Sequence, residues 1–537
     1  MRGVPVLVRP AAPVSDAVRW GPAGHRALEH AGGSLRVLGG PGTGKTTLVA
    51  HAVADRVLSQ GVDPEQVLVL TSSRRAAAQL RERIVEQLAA QGATPTVREP
   101  LVRTVHSYAF AVLRLQAALH ELPPPRLLSG PEQDVVVREL LAGDVEAGGE
   151  RWPARLRPAL SLPAFAAELR DLLLRAAERG LGPEDLIALG RSQRRPEWVA
   201  AGRFCRSYEQ VMLLRGSVGT VAPQASAPAL DAAELVSAAL LVLETDAEVL
   251  RRERNRVRHL IVDDAQHLDP QQARLVTHLG AGAAELLLLG DPDQTVFSFR
   301  GADPGLLTTG STPLVRLETD HRMAPQIRAA VSRLAARLPG PRPDARAPVQ
   351  DTPGPVQDTP GPVHDTPGGG EVLVQVFGSA AAEASWVADR LRRAHLLDGV
   401  AWADMAVVVR STARALPVLR RALLAAGVPV AVPRDELPVA RHGAVLPLLR
   451  LLRCAVDPEV LDEETALALL SSPLGGADPL ALRSLRRELR RLELAAGGDR
   501  SSAALLVDVL RDGEDQLAAL EERTAAPARR LAGLLDT

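Results

Sequence analysis

The chain has 537 residues, 46% of them hydrophobic and 24% charged, and a formal net charge of −1. It is long enough for roughly three or four domains with full cores. The near-neutral balance gives no global pull toward nucleic acid, so any such binding has to come from a local arginine-lined groove. Two distant cysteines, Cys205 and Cys454, exclude a disulfide framework or a four-cysteine metal site within the chain. No apolar run approaches the ~20 residues that span a bilayer, which points to a cytoplasmic protein without a membrane partner.

The first element is an apolar strand, Leu35 to Leu38, running into Gly-Gly-Pro-Gly-Thr-Gly-Lys-Thr (Gly39 to Thr46) and then a helix-forming run from Thr47. Glycines, a lysine and a hydroxyl residue at this spacing, between a strand and a helix, make a phosphate cradle. Gly39, Gly42 and Gly44 let the N–H groups of the wrap, Gly40 and Thr43 included, face inward. Lys45 is expected to reach the β- and γ-phosphates of ATP, Thr46 to take Mg²⁺, and the helix opening at Thr47 to add its positive end. Lys45 is the only lysine among 63 Lys plus Arg residues. Its place in the cradle suggests that a compact ammonium, not a planar fork, is required there.

Further apolar runs follow at Val67 to Leu70, Leu101 to Val105, Leu260 to Asp263 and Glu285 to Leu289. Uninterrupted apolar strands separated by helical patterns predict an α/β fold with a parallel sheet covered on both faces. Residues 1–122 and 232–320 make this first domain, and residues 123–231, with only helical periodicity, read as an inserted helical domain. A second α/β unit is expected over 321–436, with strands at Glu371 to Phe377, Met405 to Arg410 and Val428 to Val432. Within it, 341–370 carries a tandem heptad starting at Pro348, Pro355 and Pro362, an expanded linker or a recognition motif exposed as a surface loop. From Leu437 to Thr537 the pattern is helical again.

The strand at Leu260 ends in Asp263-Asp264, where Mg²⁺ and an attacking water are held in phosphate chemistry. Solvated carboxylates capping the next helix are the other reading. Asp263 is the metal-side carboxylate and Asp264 the water-orienting one. The next strand leads into Gly290 to Ala302, which offers Gln294 toward a γ-phosphate and Phe297 and Phe299 for base stacking. Leu317 to Arg322 follows.

With these motifs in order, and with Thr71-Ser-Ser-Arg-Arg-Ala-Ala, Thr104-Val-His-Ser and Ala406 to Arg410, the sequence resembles the superfamily-one helicases of the UvrD, Rep and PcrA type. Within them it looks most like a motor subunit of the actinobacterial AdnAB helicase-nuclease. The resemblance implies RecA-like P-loop domains in a two-lobe helicase, driven by ATP and Mg²⁺. Its partners would be single-stranded DNA, a duplex junction and a second subunit. By the same resemblance Lys45, Asp263, Asp264, Gln294, Arg300 and Arg322 are catalytic, with Arg300 and Arg322 neutralising charge across the cleft. His321 lies on the nucleotide, and Ser72, Arg74, His106, Phe297 and Phe299 lie on the single strand. Ordinary core packing for the phenylalanines, and a buried hydrogen-bonded role for His106, are alternatives.

The chain departs from the family pattern at several points. Asp264 stands where glutamate is usual, one methylene short. The adenine-reading glutamine falls near Gly24 and is absent, with His25 as a substitute. His321 and Ser72 replace stacking aromatics. After Glu436 neither the late motor motifs nor a nuclease domain follows, so the sequence reads as a truncated N-terminal portion. Two functions are therefore expected to compete: a DNA translocase, and a weakly hydrolysing structural subunit that binds ATP and DNA.

Overall fold

The computed structural model describes residues 20–30, 32–91, 101–217, 229–338, 370–431 and 443–536. The heptad repeat and the loop near 222–228 lie outside them. In chain order the strands are β1 (Gly33–Gly39), β2 (Val67–Thr71), β3 (Leu101–Thr104), the two-residue β4 (Arg126–Leu127) and β5 (Ala229–Leu230), β6 (His259–Val262), β7 (Glu285–Gly290) and β8 (Leu314–Leu317). Six form one sheet in the order β3-β2-β6-β7-β1-β8, every pairing parallel.

Alternation along the strands divides the interior in two. Val67 and Val69 point into one core with α2 (Lys45–Ala54) and α3 (Arg74–Ala90), after the short α1 (Pro22–Leu28). Leu68 and Leu70 point into the other, with α4 (Val105–Leu119). β2 and β7 are buried along their whole length, which is why they read as continuous apolar runs. The run expected to reach Val105 stops at Thr104, whose Oγ1 accepts from the Ser107 N–H (3.2 Å) and so starts α4. β8 closes the sheet beside β1.

The insertion contributes α5 (Gly130–Glu146), α6 (Pro163–Ala177), α7 (Pro183–Ser192) and α8 (Pro196–Ser217). Its own core gathers Val137, Leu141, Leu160 and Phe204 around the edge-on pair Trp152 and Phe165. It is not wholly helical, because β4 and β5 pair in parallel at its base. The chain then returns to the sheet through α9 (Ala232–Thr245) and α10 (Ala247–Arg256), and α11 (Pro270–Gly280) follows β6.

The chain divides into two compact units, residues 1–372 and 373–537. In the second, helices Ala380–Leu396 and Thr412–Ala425 enclose Ala388, Leu423 and Val428. Helices from Leu446 to Leu535 then pack around Leu485, Leu506, Val509 and Leu531. The strands expected at Glu371 to Phe377, Met405 to Arg410 and Val428 to Val432 do not form among the described residues. In the first two of these runs the valines lie largely in solvent, with Val376 91% and Val408 93% exposed, whereas Val428 packs into the small helical core without a strand partner. β-propensity alone makes no strand, because a strand needs a neighbour to take its N–H and C=O groups. No described helix is long and apolar enough to cross a membrane.

One charged cluster is enclosed in the first unit. Arg56 (0% exposed) donates Nη2 to Glu285 Oε1 at 2.6 Å and Nε to Oε2 at 3.1 Å. His259 Nδ1 lies 3.0 Å from the same carboxylate. Burial alone would raise the Glu285 pKa, but the hydrogen bonds from His259 and Arg56 outweigh it and hold it below the usual range. Arg56 Nη1 also donates to Asp55 Oδ2 at 2.9 Å, but Asp55 is partly exposed, so Glu285→Ala removes the buried partner and should lower the unfolding free energy by about 3 kcal/mol in urea titrations. Replacing both, Arg56→Met with Glu285→Leu, should recover most of that loss.

Candidate nucleotide-binding site

In an all-parallel sheet the carboxyl ends of the strands lie along one edge. The residues singled out in the sequence follow those ends: the Gly39 loop after β1, Ser72 and Arg74 after β2, His106 after β3, Asp263 and Asp264 after β6, Gln294 after β7, and His321 and Arg322 after β8. Because β1 lies between β7 and β8, with β6 one strand further, the loop is flanked by the acidic segments on one side and the 320–322 segment on the other.

Gly42 and Gly44 take positive φ, 77° and 85°, which turns the loop over the start of α2. A Cβ on Gly42 would strike Asp320 Oδ1, so no other residue fits there. The loop is tied to the post-β8 segment by the His321 N–H, which donates to Gly42 O at 3.0 Å. Asp320 Oδ1 in turn accepts from the N–H groups of Arg322 (2.9 Å) and Met323 (3.1 Å). Thr43 Oγ1 donates to Gly40 O at 2.9 Å. Lys45 Nζ donates to Gly39 O (2.7 Å) and Gly40 O (2.9 Å), folding the ammonium onto the loop. Burial pushes its pKa below the ordinary value. The charges of Asp291, Asp264 and Asp263 act the other way, and that of Arg322 adds to the lowering. One ammonium, three carboxylates and a guanidinium therefore share one electrostatic environment.

Asp263 is 6% exposed. Burial, then the neighbouring Asp264 charge, drives its pKa up to about 7 against a hydrogen bond from the Thr46 hydroxyl and the Lys45 charge. A hydroxyl and a buried carboxyl held short of positive charge fit a small hard cation, which in phosphate sites takes only one or two protein oxygens. Asp264 sits at φ 56°, a left-handed conformation uncommon for a non-glycine residue. Its N–H donates to Asp263 Oδ1 (3.1 Å), and its Oδ1 accepts from Gln266 Nε2 (3.2 Å). Gln294 Nε2 donates to Asp291 Oδ2 at 2.7 Å.

Other sequence-selected residues lie elsewhere on the edge. Arg300, expected at the phosphate cleft, has its guanidinium 5.4 Å from the Phe299 ring and 5.9 Å from the Phe297 ring. Core packing does not describe those rings, which are 38% and 69% exposed. Ser72 and Arg74 are exposed, and so is His106 at the start of α4. Partial desolvation, then the Arg74 charge, lowers the His106 pKa, so these two side chains share one surface.

Three contributors escaped the sequence reading. Asp291, 7% exposed, is the carboxylate whose charge acts most strongly on Lys45. Gln266 joins the two acidic segments, its Oε1 accepting the Asp291 N–H at 3.1 Å while its amide reaches Asp264. Trp20 packs against Gly24, where an added Cβ would stand 2.7 Å from the indole. The tryptophan thus takes the space that a side chain at position 24 would need. Gly-Asp at a strand end and the Gln after the acidic pair were visible signals, whereas nothing in the sequence marks the Trp20 contact.

The family model of the UvrD/REP helicase N-terminal domain matches residues 20–312, more than half of the chain. The ATP-dependent DNA helicase UvrD2 of Mycobacterium tuberculosis is 28% identical over 314 residues, covering 57% of this chain and 41% of the relative. UvrD1 of the same species is 27% identical over 335 residues, with coverages of 60% and 40%. The ATP-dependent DNA helicase Rep of Escherichia coli is 23% identical over 474 residues, with coverages of 87% and 63%. The chain thus spans less than two thirds of the length of these relatives.

The raised pKa of Asp263 has a stability consequence. A carboxyl that binds its proton more tightly folded than unfolded costs nothing below its ordinary value near 4, and its full cost is present above about 7. In metal- and nucleotide-free buffer, Asp263→Asn should therefore raise the melting temperature. The gain should grow from pH 4 to 7 and level off above, as read by thermal unfolding across that range.

Proposed function

The chain belongs to the UvrD/REP helicase family, and on that premise we propose that it is an ATP-driven translocase, stepping 3′ to 5′ along single-stranded DNA. The observation that carries the reading is the shared electrostatic environment of Lys45, Asp263, Asp264, Asp291 and Arg322 at the sheet edge, where the exposed Phe297 and Phe299 follow the end of β7. In this mechanism the loop amides, Lys45 and Arg322 bind and neutralise the triphosphate, with His321 beside the nucleotide. Thr46 and Asp263 would hold Mg²⁺, which would supply Lewis-acid neutralisation of the phosphate charge. Asp264 orients the attacking water and accepts its proton, while Gln294 senses the γ-phosphate. In this proposal the chain serves as a subunit of a cytoplasmic helicase-nuclease that acts in double-strand-break repair with a second subunit.

A DNA-stimulated ATPase assay tests this. Wild-type protein should turn over ATP faster with single-stranded DNA, and Lys45→Ala should remove essentially all turnover. No hydrolysis in any condition, including with a partner subunit, would remove the proposal.

The second reading, a weakly hydrolysing clamp, draws on Asp264, whose short carboxylate is already engaged by Gln266 on a left-handed backbone. Misplacement of a catalytic group on the scale of a methylene can cost ~100-fold in rate. Asp264→Glu separates the readings: a rise in turnover of tenfold or more, on the order expected from that misplacement, marks a damped motor, and an unchanged rate marks a clamp.

A further inference from the structure

Phe297 and Phe299 stand with ring centroids 6.3 Å apart on the short loop that ends at Gly301. Two exposed rings grip a base stack only if the loop beneath them is held. From the sheet side His267 meets Phe297 edge-on at 4.8 Å. The stronger hold comes from the helical insertion. Arg175, in the last turn of α6, donates Nη1 to Phe299 O at 3.1 Å and Nη2 to Glu178 Oε1 at 2.5 Å.

The other oxygen of Glu178, Oε2, is buried without a hydrogen-bond partner, as is Arg175 Nε. It lies over Gly301, whose φ is 84° and where a Cβ would strike it. The same segment is fixed to the first turn of α11 by the Gln271 N–H, which donates to Glu178 O at 3.1 Å. Arginine, glutamate and glycine thus meet in a three-point contact that joins the end of α6 to the backbone carrying the rings. The contact engages neither the Gly39 loop nor the acidic pair directly.

We propose that the Arg175–Glu178 pair is a positioning clamp, through which the inserted helical domain sets the Phe297–Phe299 loop and so the grip on single-stranded DNA. This rests on the reading above that the two rings stack bases. Arg175 touches no base itself and acts through Phe299.

The test is binding of a fluorescent oligothymidylate by the full chain, together with ATPase titrations. Arg175→Ala should weaken oligonucleotide binding about tenfold, the scale of one lost stacking contact. It should raise the DNA concentration needed for half-maximal ATPase stimulation and leave the KM for ATP unchanged. Arg175→Lys, which keeps one donor to Phe299 O, should recover part of the loss. In a Phe299→Ala background, Arg175→Ala should cost little more, because both act through the same ring.

Equal affinity of Arg175→Ala and wild type, or full additivity with Phe299→Ala, overturns the clamp. So does an Arg175→Ala loss that comes with an equal rise in KM for ATP, since that marks general disruption. If Arg175→Ala does not fold, Arg175→Lys decides by the same additivity criterion. If wild-type protein leaves the oligonucleotide unbound, the functional reading fails first and the clamp with it.

Discussion

Six strands running the same way bring six carboxyl ends to one edge, and the proposed chemistry depends on that constraint. The sequence separates Lys45 from Arg322 by more than half of the chain. β1 between β7 and β8 returns their segments to one loop, through hydrogen bonds that any backbone could make. The charged residues then need only be correct at the first positions past each strand. This is why helices can be inserted elsewhere without disturbing the site.

The charges at that edge are arranged under tension. Lys45 rests on two carbonyls of its own loop while three carboxylates act on it, and burial and the Asp264 charge raise the pKa of Asp263. Both side chains fall short of the surroundings that would fully satisfy their charged forms. A phosphate arriving with a divalent cation would supply an anion to one and a cation to the other. Paired ligand charges suit such a site better than either alone, since each offsets a desolvation cost already met in folding.

The first sheet was legible because its strands are buried on both sides: Val67 to Leu70 has no polar position to confuse the period. The same cue misled in the second unit, where Val374, Val376 and Val408 look like strand residues but have no ladder to join among the described residues. Spacing marked the Gly39 loop and the acidic pair, since phosphate chemistry restricts which residues can stand there. It did not mark Asp291 or Gln266, whose importance comes from hydrogen bonds between segments. Arg300 was assigned by motif position, and its place over two rings comes from the turn at Gly301, which only the backbone reveals.

The short parallel pair of β4 and β5 has a consequence for how such a chain can change. It brings the entry and exit of the insertion to adjacent-strand spacing, about 5 Å. The flanking strands β3 and β6 lie on either side of β2. A module whose two ends meet at one doorway, with its own apolar interior, can grow, shrink or be exchanged at small chain-entropy cost while the sheet beneath keeps its geometry. Variation in the inserted module is therefore available without rebuilding the sheet edge that gathers Lys45, Asp263 and Arg322.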